Sequence, residues 1–196
     1  NIQILREVKK LGIGADVVSK GELMLALKAG ISPKKIVFSG VGKNLDELTF
    51  AIDKNILLIN SESESEISQI EKISKKKNKK INIGLRLNPN INPNTLNKIT
   101  TGKKENKFGL TSKDFLKTIE KFKKSKYLNI KCLSVHIGSQ ITDHNPYAKM
   151  LKVVGSIIKK SNHKFDFVDL GGGMGIKYTK DTKLLNYKKL NIILKN

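Results

Sequence analysis

The chain has 196 residues and a formal net charge of +21, a length that suits one domain with a proper core. No apolar run approaches the roughly 18 residues that cross a bilayer and no signal peptide is visible, so no membrane partner is expected. Lysine supplies nearly all the positive charge, with Arg6 and Arg86 the only arginines; because arginine is the residue suited to bidentate phosphate and base recognition, the charge reads as a solvated lysine coat, with no nucleic-acid partner expected.

From the start, Ile2 to Lys10 reads as a helix and Gly14–Val18 as a strand. Asp16, Ser19 and Glu22 lie where that strand ends and the next helix begins, and Glu22 suits the positive end of a helix. That helix, Gly21–Ala29, stops at Gly30, a suitable C-terminal cap. The pattern then repeats, with a strand over Ile36–Ser39 and a helix over Leu45–Ile52. A strand over Ile56–Ile59 precedes a helix from Ser61 to Ile73, where Ser61 and Glu64 form a capping-box pattern. The strand Ile81–Leu87 buries Arg86 between two leucines, which requires an anionic partner because an unpaired buried charge is very costly. Asn88 to Gly109 is a long irregular segment with Pro89 and Pro93, long enough to act as an active-site lid.

After a helix beginning at Ser112 comes the strand Ile130–His136, which carries Cys132, the single cysteine. One cysteine rules out an internal disulfide framework, and its apolar setting reads as a small core residue in a protein of the reducing cytoplasm. His136 stands at the strand's end with Gly138, Ser139 and Gln140 behind it. A helix over Tyr147–Lys160 leads to the strand Phe165–Leu170, which runs into Gly171, Gly172, Gly173 and Gly175. Glycines at a strand tip leave peptide N–H groups unshielded, which suits a phosphate; the alternative is a tight packing turn. The expectation is that a helix follows directly. An imidazole at one strand end and a glycine loop at the next point to a phosphorylated cofactor with an aromatic ring. No metal site is expected, since His136, His144 and His163 lack ligand spacing and there is no cysteine cluster. The chain closes on a helical pattern from Leu190.

Six strand–helix alternations imply an α/β fold with a parallel sheet. Polar and glycine residues gather at the C-terminal strand ends, where a (β/α)8 TIM barrel builds its site. The expectation is a partial barrel of about six of the eight strands. A doubly wound open sheet is the rival, though its early glycine fingerprint is missing.

Six segments then carry a resemblance: Gly14–Leu23, Phe38–Lys43, Leu85–Pro89, Thr101–Gly109, Val135–Gln140 and Leu170–Tyr178. In this order they resemble diaminopimelate decarboxylase, an alanine-racemase-like, fold-type III family using pyridoxal 5'-phosphate (PLP). The resemblance implies decarboxylation of meso-diaminopimelate to L-lysine by a cytoplasmic homodimer. His136 would stack on the cofactor ring, Ser139, Gly171, Gly172 and Gly173 would hold its phosphate, and Asp16, Glu22 and Arg86 would form the polar surroundings. Residues 1–196 would be an incomplete PLP-binding barrel domain. The family's Schiff-base lysine on the first strand would fall before Asn1, its Glu-Pro-Gly-Arg segment on the eighth strand after Asn196, and its C-terminal β-domain outside the chain. The fragment alone is therefore expected to be inactive. Two alternatives stand beside this: a sibling decarboxylase of another basic amino acid or carboxynorspermidine, and a non-catalytic barrel that binds a phosphorylated ligand.

Overall fold

The computed structural model describes residues 1–92, 108–178 and 184–195. Among the described residues thirteen regular elements alternate, apart from a 3₁₀ turn at Pro33–Lys35. In order they are α1 (Ile2–Lys10), β1 (Ala15–Val17), α2 (Lys20–Lys28), β2 (Ile36–Phe38), α3 (Leu45–Asp53), β3 (Leu58–Ser61) and α4 (Glu64–Lys76). Then follow β4 (Ile81–Leu87), α5 (Ser112–Phe122), β5 (Leu128–Val135), α6 (Asn145–Ser161), β6 (Phe167–Asp169) and α7 (Tyr187–Lys195). The six strands form one sheet in the order β1-β2-β3-β4-β5-β6. A doubly wound sheet reverses its strand order at a switch point; an unbroken sequential order is that of a barrel. The fold is a partial (β/α)8 barrel, and the open-sheet rival falls.

The chain divides into two compact units. The first comprises Asn1–Leu85 and Glu120–Cys132. Parallel pairing sets Val17 beside Phe38, Phe38 beside Ile59, and Ile59 beside Ile83. Phe38, Ile59 and Ile83 are wholly buried, as are Leu23, Leu48, Ile67 and Ile70 from the covering helices. Each such side chain contributes about 1.5–3 kcal/mol by leaving water. Gly84 in β4 is a glycine for a packing reason: a Cβ there would stand 2.0 Å from Asn60 Oδ1 and 3.1 Å from Cys132 Cβ. Cys132 is buried, as its apolar setting predicts.

Local sequence sets the helix ends. α2 closes in a Schellman motif, with Gly30 at φ +85° donating to Leu27 O and Ile31 N donating to Ala26 O. This confirms Gly30 as the stop. The start of α4 differs from expectation. Ser61 ends β3 and is fully buried, and the cap is Ser63, whose hydroxyl accepts from Glu66 N. Ser61 and Glu64 form no capping box, because the buried run of β3 continues two residues past Ile59.

The first unit also buries a cation. Lys43 Nζ donates to Gly40 O at 2.6 Å, Asn60 O at 2.7 Å and Glu66 Oε1 at 2.7 Å. All three ammonium protons are thereby matched, and the Phe38 ring lies 5.8 Å away.

The second unit comprises Arg86–Ile119 and Leu133–Asn196. Its core gathers Val135, Ile137 and Ile141 with Tyr147, Met150, Val154 and Ile157 from α6. The two ends of the long irregular segment meet here: Asn88 N donates to Leu110 O and Leu110 N to Arg86 O, each at 2.8 Å. Residues 93–107 lie outside the described residues, and with them Pro93, most of the Thr101–Gly109 segment and the lid expectation.

Candidate functional site

His136 follows the last residue of β5, and Gly171 comes two residues after β6, the next strand of the sheet. The two meet closely. A Cβ on Gly171 would lie 2.7 Å from both Cβ and Nδ1 of His136, and one on Gly173 would lie 3.3 Å from His136 Cε1. The half-buried imidazole thus packs on bare glycine backbone, and no other residue type leaves it room. Gly173 is further confined by Gly138 O, 1.9 Å from where its Cβ would stand. At Gly172, by contrast, a Cβ would meet nothing within 4 Å.

All three glycines have positive φ, at 72°, 69° and 82°, a left-handed run that side-chain-bearing residues adopt only at a cost. Four residues hold it. Asp169 Oδ1 accepts from Gly171 N at 2.9 Å in an Asx turn, while its Oδ2 accepts from the Ser134 hydroxyl at 3.0 Å. Ile141 N donates to Gly173 O and Gly175 N donates back to Ile141 O. Gln140 clasps Ile176, accepting from its N at 3.0 Å and donating to its O at 3.2 Å. Tyr147 donates its hydroxyl to Gly172 O at 2.8 Å. Among the described residues, the Gly172 and Gly173 N–H groups find no acceptor. A fixed loop with two available peptide donors beside an aromatic face can receive a flat ring carrying an anion.

No helix follows this loop directly. The chain runs from Gly171 to Tyr178 without helix, and the next helix among the described residues is α7, from Tyr187. The expectation of a helix N-terminus behind the glycines is therefore corrected: the donors are loop amides held by neighbouring side chains.

The other predicted residues fall as follows. Ser139 is exposed, immediately after Gly138. Arg86 is 8% exposed, with its guanidinium 5.0 Å from the Phe108 ring centroid, so the far end of the irregular segment covers it. Asp16 and Glu22 belong to the first unit, and both are exposed. Ser19 caps α2, its Oγ accepting from Glu22 N, while Glu22 Oε2 reaches back to accept from Val18 N at 2.8 Å. Among the described residues, no group of three His, Cys, Asp or Glu could hold a metal ion.

Asp169, Gln140 and Tyr147 hold the loop, a role that the sequence alone does not assign to any of them. Asp169 carried a usable signal, an aspartate two residues before a glycine. Tyr147 carried none, since its spacing from Met150, Val154 and Ile157 reads as core.

The described site is thus a strand-tip imidazole seated on a glycine loop, within a sequentially ordered α/β barrel. The chain belongs to the pyridoxal-dependent decarboxylases, matching their pyridoxal binding domain over residues 1–195. It is 42% identical over 181 residues to the diaminopimelate decarboxylase of Zymomonas mobilis, covering 91% of this chain and 43% of that protein. To the same-named protein of Helicobacter pylori strain J99 it is 43% identical over 190 residues, covering 95% and 47%. The crystal structure of Helicobacter pylori diaminopimelate decarboxylase complexed with L-lysine superposes with a TM-score of 0.94 at 40% identity. That match covers all of this chain and 50% of the other. The chain thus spans about half the length of the relatives it matches.

Proposed function

We propose that the protein carrying this chain is a PLP-dependent decarboxylase that converts meso-diaminopimelate to L-lysine. The observation that carries the reading is the His136 imidazole packed against Gly171 and Gly173, with the Gly172 and Gly173 amides beside it. The residues present fit the cofactor: an aromatic face for its ring, peptide donors for its phosphate, and open space at Gly172. When bound, PLP supplies an electron sink for the pair left behind as carbon dioxide departs.

In this reading His136 holds the ring by its face, and Ser139 with Gly171, Gly172 and Gly173 binds the phosphate. Arg86, covered by Phe108, supplies positive charge, and the family resemblance supports a role for Asp16 and Glu22 in the cofactor's polar surroundings. The named relatives, at 42% and 43% identity, support the substrate. The family resemblance supports a cytoplasmic homodimer, and no described helix is long and apolar enough to cross a membrane. It also supports reading residues 1–196 as the barrel portion of the PLP-binding domain.

The test uses the full-length protein. It should gain visible absorbance when PLP is added and release carbon dioxide from meso-diaminopimelate in preference to other basic amino acids or carboxynorspermidine. Preference for one of those would transfer the reading to a sibling decarboxylase. A protein that stays colourless with PLP would refute it.

A further inference from the structure

The hydrogen bond from Tyr147 to Gly172 O does more than satisfy a buried hydroxyl. The described residues contain no cis peptide, so the Gly172–Gly173 peptide is planar and trans, with its C=O and N–H on opposite sides. Holding the carbonyl at 2.8 Å therefore sets the direction of the Gly173 N–H. Both faults that would blur that direction are suppressed. Gly173 cannot slide, because Gly138 O and His136 close on it. Tyr147 cannot swing, because it is 2% exposed and sits in the first turn of α6, whose Met150, Val154 and Ile157 are buried. The start of that helix is itself tied down by Asp143 Oδ1, which accepts from Asn145 N at 3.1 Å.

We infer that Tyr147 is a positioning residue for the anion site: through the Gly172 carbonyl it aims the Gly173 N–H at the phosphate group of the bound cofactor. The inference rests on the proposed cofactor reading. It separates Tyr147 from an ordinary core tyrosine, whose loss would weaken every ligand of the loop alike. Burial keeps its phenol protonated, and so a donor, throughout the physiological range.

The experiment compares PLP with pyridoxal, which has the same ring and no phosphate, by absorbance titration of the full-length apoprotein. Tyr147→Phe should weaken PLP binding about tenfold, the scale of one well-placed hydrogen bond, and leave pyridoxal binding unchanged. Equal weakening of both ligands, or of neither, would overturn the inference. Wild-type protein that binds no PLP at all would overturn the cofactor reading and this inference with it. Should the variant not fold, wild-type protein labelled with ¹⁵N-glycine and titrated with inorganic phosphate decides instead. The Gly173 amide resonance should move downfield; a stationary Gly173 signal would refute the role.

Discussion

Gly172 and Gly173 are neighbours with the same backbone hand and opposite tolerance for a methyl group. Gly172→Ala meets no atom within 4 Å, so its cost is the left-handed penalty of about 1–2 kcal/mol. Gly173→Ala adds a collision with the Gly138 carbonyl and should lower the melting temperature well beyond Gly172→Ala. If thermal melts ranked the two the other way, the packing described around His136 would be wrong. Tyr147 gives a second test. Burial, with a smaller contribution from Tyr187, pushes its phenol from the ordinary 10.0 up to about 12. A folded-state value above the unfolded one favours the protonated native form, so this contribution is complete below pH 10 and fades as pH rises from 10 through about 12. Denaturant titrations across that window should show the loss, and Tyr147→Phe should flatten it. The glycines and His136 were legible in the sequence because their chemistry depends on residue type at a strand end. The reach of Tyr147 was not, because a hydroxyl's direction follows from how its helix docks.

Among elements, the caps were half readable. Gly30 announces the end of α2, whereas the start of α4 is ambiguous in the sequence, because Ser61 and Ser63 both satisfy the serine rule and the cap is Ser63. Burial decides between them, and the sequence window holds no measure of burial. The two serines should therefore answer differently. Ser63→Ala removes an N-terminal cap and should cost about 1 kcal/mol in chemical denaturation. Ser61→Ala removes a buried hydroxyl that has no partner among the described residues, and should be neutral or stabilising. A loss of equal size at both positions would return the cap to Ser61. Strand existence was likewise clear from apolar runs, but their ends were not: β1 and β6 each keep three residues of longer predicted strands. At the end of β6 the backbone turns at once, because the Asp169 carboxylate accepts from Gly171 N in place of a continued ladder.

For the whole molecule, strand–helix alternation made the barrel legible, since sequential strand order follows from short right-handed crossovers. A charge of +21 on one chain is self-repulsive. Raising salt from low to physiological strength should accordingly raise the melting temperature through screening. Filter binding to DNA should show no steep salt slope, because scattered lysines make few simultaneous phosphate contacts. A steep slope would instead reveal a nucleic-acid face. Among the described lysines one stands apart. Lys43, with its side chain 1% exposed and its Nζ bound to three oxygens, is out of reach of an acylating reagent while the fold is intact. Mass-spectrometric footprinting with an amine-reactive label should thus find it protected where its surface counterparts react, which makes the labelling of this one amine a direct gauge of unfolding.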